Sequence, residues 1–203
     1  GMELIIDAKN TRNNGYPYAM APEKDQKGRI NYNHDSYYKR DILSTGFKTQ
    51  IDLNGYSLKS VSSFQLLDDL QDIDQDFTPQ DMLYVTQDRQ HHLFAQEVNL
   101  ASPENRRFEF LAGLFGFYQL RDKKVDVFYG PDAVTAFNLP GEMQKNKSYD
   151  KTTGGFAAFG QASYKDFIIS NMTATVGLRY DYEINRLDYN YLLYMNDSEI
   201  PQD

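Results

Sequence analysis

The sequence predicts an all-β fold: an antiparallel meander of about eight long strands, forming a β-barrel or a rolled sheet. Three observations predict it. Apolar residues recur with a period of two rather than 3.6 in the well-patterned segments. The seven prolines, at 17, 22, 79, 103, 131, 140 and 201, all fall in polar or turn-like stretches. The proline-free segments between them are where ladders can run, because proline cannot donate to one. Strong helical patterns are absent, although aromatics make up 14% of the chain, a load that disordered chains do not carry.

Taken in order, the first candidate strand is Glu3–Ala8. The stretch 11–33, rich in Asn, Gly, Pro and Lys, is expected to be a long loop. From residue 43 the odd positions read Leu43, Thr45, Phe47, Thr49, Ile51 and Leu53. The even ones read Ser44, Gly46, Lys48, Gln50 and Asp52. Asn54-Gly55 follows, a pair that accepts the positive φ angles of a two-residue hairpin turn, so 42–67 is predicted as a hairpin. The acidic stretch 68–80 is expected to be a loop. Further strands are expected over 82–101, 107–120 and 125–129, then a loop over 131–155 and a strand over 155–167. The run 108–118 is apolar on both faces in its middle, so its orientation cannot be read. Over 172–187, Met172, Ala174, Val176, Leu178, Tyr180 and Tyr182 alternate with Thr173, Thr175, Gly177, Arg179 and Asp181. A strand puts the first set on one face; a helix scatters it. The whole of 1–203 reads as a single β domain.

This parity makes one face apolar and gives Lys48, Gln50, Asp52, Arg179 and Asp181 to the other. In water the apolar side has to be hidden, by closure or by stacking. The two outer strands are unpaired edges that no proline blunts. Closure into a small barrel, or self-association through edge strands or the apolar face, is therefore expected.

Composition narrows the chemistry. The net charge is −8 and the pI about 4.9, so a large basic face for nucleic-acid phosphates is not expected. With no cysteine, disulfides, thiolate metal sites and cysteine nucleophiles are excluded. The adjacent His91 and His92 point to opposite faces of a strand and cannot chelate one metal together; His34 reads as a solvated loop residue. Asp72, Asp74 and Asp76 have the alternate spacing of a calcium loop. Phe77 and Leu83 stand where such a loop needs Gly and Glu, so the stretch reads as a solvated acidic loop. The pairs Asp68/Asp69 and Asp181/Glu183 have no fixed separation suited to glycoside hydrolysis. Gly154-Gly155 reads as a turn rather than a phosphate loop, and no nucleophile elbow or dinucleotide fingerprint occurs. The sequence therefore points to a protein that is not an enzyme. It assigns no cofactor, no metal, no nucleic-acid partner and no ligand-binding residue.

No run approaches the ~20 apolar residues of a spanning helix; the longest is Leu111–Tyr118. The N-terminus shows no basic region ahead of an apolar core, so no signal peptide is visible. Two features nevertheless suit a membrane barrel. The strands over 82–101 and 172–187 are long beside the ~5–6 residues usual in globular sheets. Tyr and Phe also gather near strand ends, at Tyr37-Tyr38, Tyr84, Phe117-Tyr118, Tyr129 and Tyr180/Tyr182, as in the aromatic girdles of outer-membrane barrels. A soluble sheet favours Tyr as well.

Three phrases carry a resemblance. Gln96-Glu97-Val98-Asn99-Leu100-Ala101-Ser102 is similar to a Gln-Glu-x-Arg-Leu-x-Ser phrase of TonB-dependent outer-membrane receptors, with Asn99 at the place of the Arg. Phe110 to Tyr118 resembles the strand that follows it in that family. Ala158-Phe159-Gly160-Gln161-Ala162-Ser163-Tyr164 and Gly177-Leu178-Arg179-Tyr180-Asp181 resemble the next two, commonly Phe-Gly-x-x-x-Tyr and Gly-x-Arg-Tyr-Asp. The phrases come in the family's order and span roughly residues 40–185. The resemblance implies a middle portion of a barrel of about 22 strands, located in the cell outer membrane. The globular plug, through which such receptors meet their TonB-type energy coupler, is not visible in this chain. It implies that the parent imports a nutrient such as an iron–siderophore complex, a cobalamin or an oligosaccharide, and that the inward-facing polar groups meet the plug. Two other readings remain: a soluble lipocalin-like barrel that binds a small molecule, and a surface-associated binding or adhesion module.

Overall fold

The structure is a computed structural model that describes residues 1–19, 28–166 and 168–201. It is all-β, as expected. Eight antiparallel strands follow one another in a single sheet in strict chain order. They are β1 (Met2–Asn14), β2 (Tyr37–Leu53), β3 (Tyr56–Asp74), β4 (Leu83–Ala101), β5 (Phe108–Tyr129), β6 (Met143–Lys165), β7 (Thr173–Met195) and β8 (Ser198–Ile200). Seven are long and β8 has three residues. One short helix, α1 (Pro131–Phe137), interrupts the β5–β6 connection.

The predicted hairpin at 42–67 is present. Asn54 and Gly55 both take positive φ, and Leu53 pairs with Tyr56 across them. Asn196 and Asp197 do the same between β7 and β8. Several predicted loops proved to be strand. β1 continues past residue 8 to Asn14, β3 past 67 to Asp74, and β7 past 187 to Met195. The segments 107–120 and 125–129 form one unbroken strand. The expected loop 131–155 holds α1 and the first half of β6. These stretches share a cause: where both faces of a strand meet water, the apolar alternation that marks it disappears.

The register assigns every side chain to a face, because directly paired residues point the same way. Following it from Phe47 gives one face bearing Leu4, Phe47, Leu58, Phe94, Val98, Leu114, Phe156 and Leu178. Leu43, Ile51 and Leu53 join it, as do Val176 and Tyr180, so the parity expectation holds. On the opposite face Lys48 lies against Glu3 (3.5 Å), and Arg179 against Asp181 (2.7 Å).

The apolar face is not hidden. Leu114 is 64% exposed and Leu178 81%. Among the described residues Val85, Ala133 and Ala157 alone are fully buried apolar side chains. Of the two outcomes expected, closure into a small barrel does not occur: β1 and β7 do not pair, and the sheet stays open. Phe117 leans over Gly155 and Phe159 over Gly113 on the polar face. Side chains there are on the whole less exposed than their apolar-face neighbours, as in a sheet curved with its polar side inward. A few strands at this curvature cannot meet edge to edge.

Candidate functional site: the polar face beyond the apolar belt

The outer face changes character along the strands. The rows from Leu53 up to Leu43 are mostly apolar over eleven residues, or ten steps, of β2; the Leu43 row at the upper edge also carries His92, Thr152 and Arg186. At ~3.3 Å per residue and the ~35–45° tilt of membrane barrels, that is a band about 25 Å tall. Aromatics frame it. Tyr56 and Phe110 (6.3 Å between centroids) lie at one end. Phe64, Phe94 and Tyr118 form one row near the other. Three polar residues inside the band satisfy one another: Gln96 Nε2 donates to Ser60 Oγ (2.8 Å), and Ser62 Oγ donates to Gln96 Oε1 (2.5 Å). Immediately beyond the band the outer face turns acidic. Asp41, Asp68, Asp122, Asp150 and Asp188 stand in one row with Gln90.

At the same level the inner face is basic. Its rows carry Lys9, Arg40, Arg89, Arg121, Lys123, Lys145, Lys147 and Lys151 against a single carboxylate, Asp69. Arg89 is directly opposite Lys123 and Arg121 opposite Lys151, an arrangement that is destabilising by itself. Cations thus gather on part of one face although the chain as a whole is acidic. The net charge of −8 averages two faces of opposite sign, and strand alternation sorts them.

Asp69 organises the centre of this face. Its Oδ2 accepts from Arg40 Nε (3.0 Å) and Nη2 (2.5 Å), Arg89 Nη2 (2.5 Å) and Tyr38 Oη (3.3 Å). Burial pushes its carboxyl upward, but the two guanidinium groups outweigh that and hold it below the ordinary value. Burial and the Asp69 charge raise the Tyr38 phenol. Burial, then the charges of Arg121 and Arg89, push the His91 imidazole down, and its Nε2 lies 2.5 Å from Gln119 Nε2. Lys145 Nζ donates to Tyr129 Oη (3.1 Å), and Lys147 sits 5.9 Å from the Tyr191 ring centroid. Tyr149 and Tyr189 pack at 5.0 Å. Arg121, Lys123 and Lys151 make no hydrogen bond or ion pair with any described residue.

Because the folded-state value of Asp69 is depressed, its contribution is present above the unfolded value and lost as pH falls through the folded one. Asp69→Asn is expected to cost roughly 1–2 kcal/mol at neutral pH, discounted because both arginines are partly exposed. The gap between the two proteins should begin to narrow as the pH falls below about 4, the unfolded value, and close only below the lower folded one. Denaturant melts of both at stepped pH measure it.

The residues singled out in the sequence fall elsewhere. His91 and His92 do face opposite sides, opposite Arg121 and Leu120 respectively. His34 is not a solvated loop residue: its Nε2 is 2.8 Å from Asp72 Oδ1 and its ring stacks on Tyr84 at 4.1 Å. The acidic stretch is not simply solvated either. Asp74 is 1% exposed and accepts from the backbone N–H groups of Phe77 (2.8 Å) and His34 (3.2 Å); Asp76 accepts from those of Thr78 and Leu83. These carboxylates fasten the loops. Asp68 and Asp69 separate to opposite faces, and Gly154-Gly155 lies within β6 rather than in a turn.

The connections differ by end, the two-residue turn 196–197 excepted. Beside the lower edge of the band they are short: 54–55, 102–107 and 166–172. Beyond the basic face they include 15–36, 75–82 and 130–142.

No protein-family model matches the sequence, and no curated protein does. Among solved structures, the chain is similar to the ferric yersiniabactin uptake receptor FyuA from Yersinia pestis, with a TM-score of 0.48 and 16% identity. The similarity covers 95% of this chain and 31% of that one, so the chain spans about a third of that receptor's length.

Proposed function

We propose that this chain is part of the wall of a TonB-dependent outer-membrane receptor barrel whose parent takes up a scarce nutrient. One observation carries the reading: a continuous apolar band about 25 Å tall, framed by aromatics, on one face only of a long-stranded antiparallel meander. Water is a poor solvent for so large a contiguous apolar surface, and a bilayer core fits its height. In this reading the long connections are extracellular and the short turns periplasmic, the usual asymmetry of such barrels. The basic face then lines the vestibule above the membrane, and the parent's role is transport rather than catalysis. The energy coupler engages parts of the parent other than these strands.

The chain contains no cysteine, so single cysteines can carry nitroxide labels without background. In lipid-reconstituted protein, labels at Val98, Leu114 and Leu178 should be accessible to oxygen and shielded from a water-soluble nickel chelate. Labels at Glu97 and Lys48, on the opposite face at the same level, should show the reverse. Beyond the band, labels at Asp122 and Lys123 should both meet the chelate. Equal chelate access at Leu114 and Glu97 would overturn the reading.

A further inference from the structure

We propose that the inner face beyond the belt binds a small, multiply charged anion bearing carboxylate or phosphate groups, seated on Arg121, Lys123 and Lys151. The proposal rests on the receptor reading for its physiological meaning, an anionic cargo in the vestibule; the binding itself follows from the face alone.

The cations of this face divide into those with a partner and those without. Arg40 and Arg89 are committed to Asp69, and Lys145 donates to Tyr129. Arg121, Lys123 and Lys151 have no such partner among the described residues. They are neighbours: Arg121 pairs with Lys151 across two strands, and Lys123 stands two residues along β5 on the same face. With strands ~4.8 Å apart and ~6.6 Å between same-face residues, the three bases lie within about 10 Å. That spacing suits one compact polyanion rather than a long polymer. The repulsion among them is relieved when an anion bridges them, whereas water alone only screens it. The inward curve adds to this, since a recess lined by one sign of charge concentrates its field.

The surroundings set further terms. Tyr149, directly opposite Lys123, packs on Tyr189 with the rings inclined by 41°, so a planar group on the ligand has an aromatic ring beside the cations to lie against. His91, directly opposite Arg121, is pushed toward its neutral form and adds no repulsion. Asp69 is the nearest carboxylate on this face and is screened by two arginines. The acidic row lies on the other side of the sheet.

Calorimetry on the detergent-solubilised full chain tests this, with citrate and tripolyphosphate as probes and maltohexaose as the neutral comparison. Both anions should bind, the neutral sugar should not, and rising salt should weaken the anions. The tighter of the two names carboxylate or phosphate as the preferred group. Lys123→Glu/Lys151→Glu should weaken anion binding by roughly tenfold or more. Lys59→Gln, on the same face at the other end, should change nothing, and Asp69→Asn should tighten it. If the reversal pair fails to give a β-sheet circular dichroism spectrum, Lys123→Gln/Lys151→Gln reads the same site. Unchanged anion affinity in the neutralised pair, or equal binding of maltohexaose, overturns the proposal. The nitroxide pattern reports the receptor reading separately: a lipid-facing belt without anion binding would remove only the ligand, and anion binding without a lipid-facing belt would remove only the receptor.

Discussion

Leu114→Arg is expected to destabilise the lipid-inserted protein by about 2–4 kcal/mol, the cost of a cation near the middle of a barrel's lipid face. Leu114 lies in the central row of the apolar band, between Val98 of β4 and Ala158 of β6. Its side chain is well exposed, so it makes little protein packing for arginine to disrupt. In water the same change removes a surface leucine and should be near neutral, or should improve solubility. The sign of the difference between lipid and water therefore reports what covers this face. Urea titrations of the refolded protein in lipid vesicles, with Leu114→Ala as the size control, measure it. Asp122→Arg, on the same face but beyond the band, should shift stability by less than about 0.5 kcal/mol. A Leu114→Arg protein as stable as the parent in lipid would remove the membrane reading.

The fold was legible where one face of a strand is apolar and the other polar. Leu43 to Leu53 and Met172 to Tyr182 show the alternation plainly, and Asn54-Gly55 marks the turn. It was illegible beyond the belt, where Met143 to Asp150 reads as a polar loop although it forms strand. The basic face was missed for a related reason. Its cations come from β1, β2, β4, β5 and β6, and only the register collects them on one side. One local signal existed: Lys145, Lys147 and Lys151 share parity, as do Arg121 and Lys123. In segments taken for a loop or a strand end that parity carried no meaning. The Arg40–Asp69–Arg89 cluster joins residues 29 and 20 positions apart, which no spacing rule anticipates. Closure, one of the two outcomes expected, is absent because apolar area alone does not specify how strands curve.

Gly155→Val is expected to cost about 1–3 kcal/mol, the range for forcing extra carbon into a packed site. A Cβ at Gly155 would sit 2.6 Å from Phe117 Cε1 and 3.0 Å from the backbone oxygen of Tyr182. The ring can rotate away only by giving up its place on the neighbouring strand, and the backbone oxygen belongs to the β6–β7 ladder, where Gly155 pairs with Glu183. Glycine in a strand interior normally weakens it and persists where another group must approach closely. Here the approaching group is an inward aromatic, and Phe115 packs beside it at 5.9 Å. Removing the ring should therefore suppress the penalty: in Phe117→Ala the valine should cost at least 1 kcal/mol less than in the parent, a coupling of the size seen between residues in contact. A double-mutant cycle by denaturant melting reads this directly. Gly46→Val is the control, because a Cβ at Gly46 meets nothing within 4 Å. A full penalty for Gly155→Val in the absence of the Phe117 ring would place the strain in the β6–β7 backbone instead.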